Sequence, residues 1–366
     1  MDILNFNPSQ LSNFGSTEKT ESNENSLIYK ARPAESKAED GVYRSTIKVI
    51  YNPFEFSKSI VSQQSYAMMD DKGFFQVVSS LTNGDTNCPI FKAWKTCHYE
   101  KNNMKLHLQA ETKENGGKGL FDKRFARYVT IQVIEDKNHP ELEGNYMFWK
   151  MPKCIWDMIQ NKMTPAPESR KAPIPVMDFL VGRAIELEVT PGPDDPAHPE
   201  RKTREISYAS SEISDDIISC TNPDGSSLLT DAQQKVLDTY IEMMSNVWKE
   251  KNPEKRAEIQ AKVNADNNTK EFAKFYSEEI LPAIKSFCPN IVEHLGYKPW
   301  SPEVEARVNN WISIVLQGND PATPKFNSTA TEDQFTSIVP PVVTAPESNT
   351  TTSNYSSSIA DDDLPF

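Results

Sequence analysis

Basic and aromatic side chains alternate in "FDKRFARY" at residues 121–128 and again in "NYMFWKM" at residues 145–151. Cations that track phosphates and flat rings that lie under unpaired bases are the two kinds of group needed to hold a single strand without reading its sequence. Lys123, Arg124, Arg127 and Tyr128 supply both kinds in the first stretch, and Trp149 and Lys150 supply them in the second. Trp94, set between Lys92 and Lys95 in what reads as a cationic loop, is a further candidate. On a strand, Tyr146, Phe148 and Lys150 share one face and Met147, Trp149 and Met151 the other, so only part of the second stretch can meet a ligand. Phe125 and Phe148 are expected to belong to the core.

A formal charge of -13 would argue against a nucleic-acid partner if it were spread evenly, but it is not. Between residues 92 and 127, nine basic residues stand against four acids. After Phe326 there is no Lys or Arg, and six acids follow. Catalytic patterns are weak. "ENGGKG" lacks the glycine and the Ser or Thr of a phosphate-cradling loop. The pairs Asp70-Asp71, Asp194-Asp195 and Asp215-Asp216 read as turn acids rather than as a two-metal centre, and no serine sits in a nucleophile-elbow context. Five scattered cysteines suit reduced thiols, and Cys88, Cys97, His98 and His107 lack the tight spacing of a zinc knuckle. The expectation is a binding protein with no catalytic residue, no metal and no cofactor.

These residues need a scaffold, and the pattern around them is mainly β with added α. Residues 1–25 read as a flexible arm with sparse apolar anchors. Residues 26–222 show β-branched and aromatic alternation broken by Gly, Pro, Asn and Asp, the pattern of a barrel or sandwich. One helix, "PKCIWDMIQNKM", interrupts it. Residues 223–320 turn helical and form an expected helical lobe, with Thr230 and Gln233 as a capping box and Ser301 as a later N-cap. Residues 321–366 form an acidic Ser/Thr/Asn/Pro tail whose apolar content is too low to fold. With no run of roughly 20 apolar residues and no leader pattern, the chain is expected to be cytoplasmic and to have no membrane partner.

The segment "RYVTIQVIEDKNHPELEGNYMFWKMPKCIWDMIQ" resembles the helix-destabilising single-stranded DNA-binding protein of T-even-type tailed phages. The likeness runs through a strand ending at Asp136, a loop with Pro140 that closes on Glu143-Gly144, the strand from Tyr146 to Lys150, and a Lys-x-Ile-Trp-Asp-x-Ile helix from Lys153 to Ile159. It extends over about residues 27–214. The resemblance implies an OB-fold barrel with a cationic, aromatic-lined groove that coats single strands in replication, recombination and repair. It places Lys123, Arg124, Arg127, Tyr128, Trp149 and Lys150 in that groove, and more weakly Lys202, Arg204 and Tyr208 of "RKTREISY".

Two features depart from the family. Its zinc lobe ends in Cys-Pro-x-Cys, whereas this chain has Cys88 in the first place, Phe91 in the second, and Val78-Ser79 where another ligand would stand, so apolar packing is expected instead of zinc. Its basic N-terminal arm drives cooperativity, whereas this arm has no Lys or Arg before Lys19; self-association on DNA through Leu4, Phe6, Leu11 and Phe14 stays open. The closing residues Asp361, Asp362, Asp363, Leu364, Pro365 and Phe366 look like the tip of bacterial single-stranded DNA-binding proteins, which docks partner proteins. Such a peptide suits a basic-rimmed apolar pocket on a replication or recombination protein. The rival expectation is a replisome or transcription adaptor whose barrel binds protein, and an RNA role stays open because stacking does not distinguish sugars.

Overall fold

A computed structural model describes residues 27–85, 87–110, 120–191 and 206–322. The spine is β5 (Asp122–Asp136), a strand of 15 residues. Along one edge, its first half pairs antiparallel with β3 (Ile60–Asp70), from Ala67 opposite Asp122 to Ile60 opposite Val129. Its second half pairs along the same edge with β2 (Tyr43–Ile50), from Ile50 opposite Thr130 to Ser45 opposite Asp136. The other edge takes β6 (Tyr146–Met151). Outside these lie β1 (Ile28–Tyr29) on β6, β4 (Gly73–Val78) on β3, and β7 (Arg183–Pro191) on β2. Short β8 (Ile206–Ser207) and β9 (Glu212–Ile217) pair with β7.

The outcome is a mixed sheet of nine strands with helices packed on it, which agrees with the expected class. The expected closed barrel is corrected: among the described residues no pairing joins the ends of the path β1-β6-β5-β2-β7-β8. β2 and β3 follow one another along a single edge of β5, so the long strand branches the sheet.

The motif residues around the β5–β6 turn are structural. Buried Asp136 accepts hydrogen bonds from the hydroxyls of Tyr29 at 2.7 Å and Tyr43 at 2.6 Å, which ties β1 and β2 to the end of β5. Glu143 accepts from the Asp136 amide. Gly144 has φ of 81°, and a Cβ there would run into the Pro223 carbonyl, so no other residue fits the turn without a shift.

The apolar residues divide into clusters. The first packs the inner face of β2, β5, β6 and β7 against α3 (Lys153–Met163). The second joins the sheet, through Ile50 and Tyr146, to α4 (Asp231–Lys249), α6 (Asn267–Phe275) and α7 (Leu281–Phe287), with α5 (Pro253–Ala265) packed on α4. Helix α4 opens with the expected Thr230–Gln233 capping box. The third unites β3 and β4 with α1 (Pro89–Tyr99), α2 (Met104–Ala110) and α9 (Pro302–Leu316).

The expected helical lobe at 223–320 is therefore shared out. Helix α8 (Ile291–Leu295) covers Val61 and Phe148, while α9 leaves the other helices for the third cluster. There the Arg307 guanidinium donates twice to Asp70 at 2.7 Å and lies over the Phe75 ring, while the Trp311 indole donates to the Met69 carbonyl at 2.9 Å. Among the described residues no helix is long and apolar enough to cross a membrane.

Candidate nucleic-acid interface

Residues directly opposite one another in an antiparallel pair share a face, and successive residues alternate. On β5 this puts Lys123, Phe125 and Arg127 on one face, opposite Tyr66, Gln64 and Ser62 of β3. Further along that face are Val129, Ile131 and Val133 of the first cluster, and Tyr66 at the other end is buried in the third. Lys123, Phe125 and Arg127 thus form a strip between two packed clusters, and Phe125 is 40% exposed. At a rise of about 3.4 Å per residue, the backbone positions of Lys123 and Arg127 stand about 14 Å apart, with that of Phe125 between them.

Rings hold these cations in place. Arg127 lies over Phe125 at 4.8 Å, and the Lys123 ammonium lies over Phe91 of α1 at 5.9 Å. Among the described residues neither cation has a carboxylate partner, so both charges remain for an anion. Partial burial pulls the Lys123 pKa below its ordinary value.

Helix α1 prolongs the strip. Phe91, Trp94 and His98 recur at helical spacing and stack, with centroids 5.7 and 4.9 Å apart and planes within 14° of parallel. Lys95 sits over Phe91 at 4.7 Å. Trp94 is thus on a helix flank rather than in the expected loop, and its ring is half-buried.

The other candidates fall elsewhere. Arg124 points to the opposite face, where it lies over Phe74 at 5.6 Å and donates to Asp122 and Gln76. Tyr128 and Lys150 face each other across β5 and β6 on that second face. Lys150 is exposed, but Tyr128 packs with Val61 and Phe148 beside α8, and burial raises its pKa. Trp149 is corrected outright: it is 2% exposed, in the first cluster, because alternation on β6 turns it inward with Met147 and Met151. Tyr208 packs edge-on to Trp149 at 6.2 Å, half-buried, with its phenol pushed up to about 12 by burial. Lys202, Arg204 and the tail residues Asp361, Asp362, Asp363, Leu364, Pro365 and Phe366 lie outside the described residues.

Sequence reasoning missed Phe91 and misplaced Phe125, which is exposed where core was expected; Phe148 is buried as expected. The Phe91–Trp94–His98 spacing was the available signal. Cys88 and Cys97 are both buried in the third cluster among Tyr66, Met68, Phe75 and Ile90. No group of three or more His, Cys, Asp or Glu side chains able to hold a metal occurs among the described residues. No protein-family model matches the chain, and no curated protein matches it.

Proposed function

We propose that this chain binds single-stranded DNA without sequence selection, along the strip formed by Lys123, Phe125 and Arg127 and continued by Phe91, Trp94 and Lys95. One observation carries the reading: cations without carboxylate partners among the described residues alternate with an exposed ring on a single face between two packed clusters. Phosphates would meet the cations and a base would stack on Phe125, each stacked base contributing about 1–3 kcal/mol. The nine-stranded sheet is taken as an opened OB-type core. The role that fits is coating single strands during phage replication, recombination and repair, with no catalytic step. Recruitment of partner proteins by residues 361–366 belongs to the same proposal, on the chemistry of that sequence.

Tryptophan fluorescence titrated with oligo-dT tests it. Trp94 lies beside the strip, so quenching is expected in the natural chain and much less in Trp94→Phe. Absence of any binding to oligo-dT in a separate anisotropy titration would leave the adaptor reading in its place.

A further inference from the structure

Gln64 sits on β3 directly opposite Phe125. Its main-chain groups point away from β5: the amide donates to Thr82 Oγ1 at 3.0 Å, and the carbonyl accepts from the Ser79 amide at 2.7 Å and the Thr82 hydroxyl at 3.2 Å. Gln64 and Phe125 therefore form a pair without ladder bonds between them, the arrangement that brings opposed side chains closest. The backbone of Gln64 is fully engaged, yet its side-chain Oε1 is buried with no hydrogen-bond partner among the described residues. A buried acceptor left unmatched is unfavourable, and a partner that arrives with a ligand removes that cost.

We infer that Gln64 is a base-contacting residue, whose carboxamide oxygen accepts a hydrogen bond from the Watson–Crick-edge N–H of an unpaired base stacked on Phe125. This rests on the single-strand reading above and adds an edge contact to a site described so far by charge and stacking. The carboxamide turns about its side-chain torsions to reach the base edge, while the pinned backbone stays in place. Each of the four bases presents at least one N–H on that edge, so the contact tightens binding without selecting a sequence.

The experiment uses the full chain and two oligonucleotides of equal length, oligo-dT and its N3-methylthymidine counterpart, which keeps the charge and the ring but lacks the N3–H donor. The natural protein is expected to bind oligo-dT about fivefold more tightly, the effect of one net hydrogen bond. Gln64→Leu should bind both oligonucleotides alike, at the weaker level. Equal binding of the two by the natural protein overturns the inference, as does Gln64→Leu keeping the preference, since the methyl group alone would then explain it. Binding of neither oligonucleotide would remove the single-strand reading itself.

Discussion

The two faces of β5 in its first half carry similar residues and differ in what surrounds them. On one face Arg127 lies over Phe125, and on the other Arg124 lies over Phe74. The Arg124 charge is met by Asp122 at 3.1 Å, and the ring next along its face, Tyr128, is packed beside α8. Among the described residues Lys123 and Arg127 have rings and no carboxylate beside them, and Phe125 is partly exposed. A cation over a ring is therefore not itself a site. Phe74 is as exposed as Phe125, so the deciding difference is whether a carboxylate has already neutralised the cation.

The sharpest way to break that distinction is to truncate one ring of each kind. Trp149→Ala should lower unfolding stability by about 4 kcal/mol, because it empties a large volume in the first cluster. Urea denaturation measures this. Phe125→Ala should stay within about 1 kcal/mol of the natural chain in the same measurement. A comparable loss at Phe125 would mean that the strip is core.

The next effect concerns the anchor of the third cluster, which carries the α1 half of the strip. Hydrogen bonds from Arg307 hold the Asp70 carboxyl below its ordinary pKa. A carboxyl whose folded pKa is depressed contributes stability that is complete above about pH 4 and is lost as pH falls through the folded value. Asp70→Asn should cost about 2 kcal/mol at neutral pH and flatten the acid limb of the stability curve. Urea midpoints collected from pH 6 downward for both chains test this; parallel acid limbs would detach the pair from acid stability. Smaller again, Phe125→Ala should weaken oligo-dT binding by about 1–2 kcal/mol, the loss of one stacked base. Phe74→Ala on the opposite face should leave binding unchanged.

How much of this was legible in sequence follows from the range of each interaction. The Thr230–Gln233 box, the Ser301 cap and the strand alternation depend on residues a few positions apart, and the structure contains them. That β2 and β3 share one edge of β5 depends on pairings across 50 or more positions, so the expected barrel closure was not fixed by any local pattern. The site was half legible for the same reason. The stretch 121–128 marks a strand dense in cations and rings, but period-two alternation divides it between faces, and the pairing of Arg124 with Asp122 and the packing of Tyr128 beside α8 then set the faces apart. Trp149 shows the limit: its face was assigned correctly from alternation, yet that face proved to be the interior.

The finest test separates the faces by charge alone. On a single strand, each neutralised phosphate adds about 0.7 to the slope of log affinity against log salt. Lys123→Gln and Arg127→Gln should each reduce that slope by about 0.7, whereas Arg124→Gln, whose charge already meets Asp122, should leave it unchanged. A drop at Arg124 equal to that at Arg127 would erase the distinction between the faces. Titration sharpens it further, because burial lowers the Lys123 pKa while arginine stays protonated. As pH rises into the alkaline range, Lys123 loses its charge before Arg127, the other strip cation on β5. The slope of the natural chain should therefore decline with pH, and so should that of Arg127→Gln, while Lys123→Gln, left with Lys95 as the lysine of the strip, should show a smaller decline. Oligo-dT titrations at several salt concentrations and two pH values distinguish these outcomes.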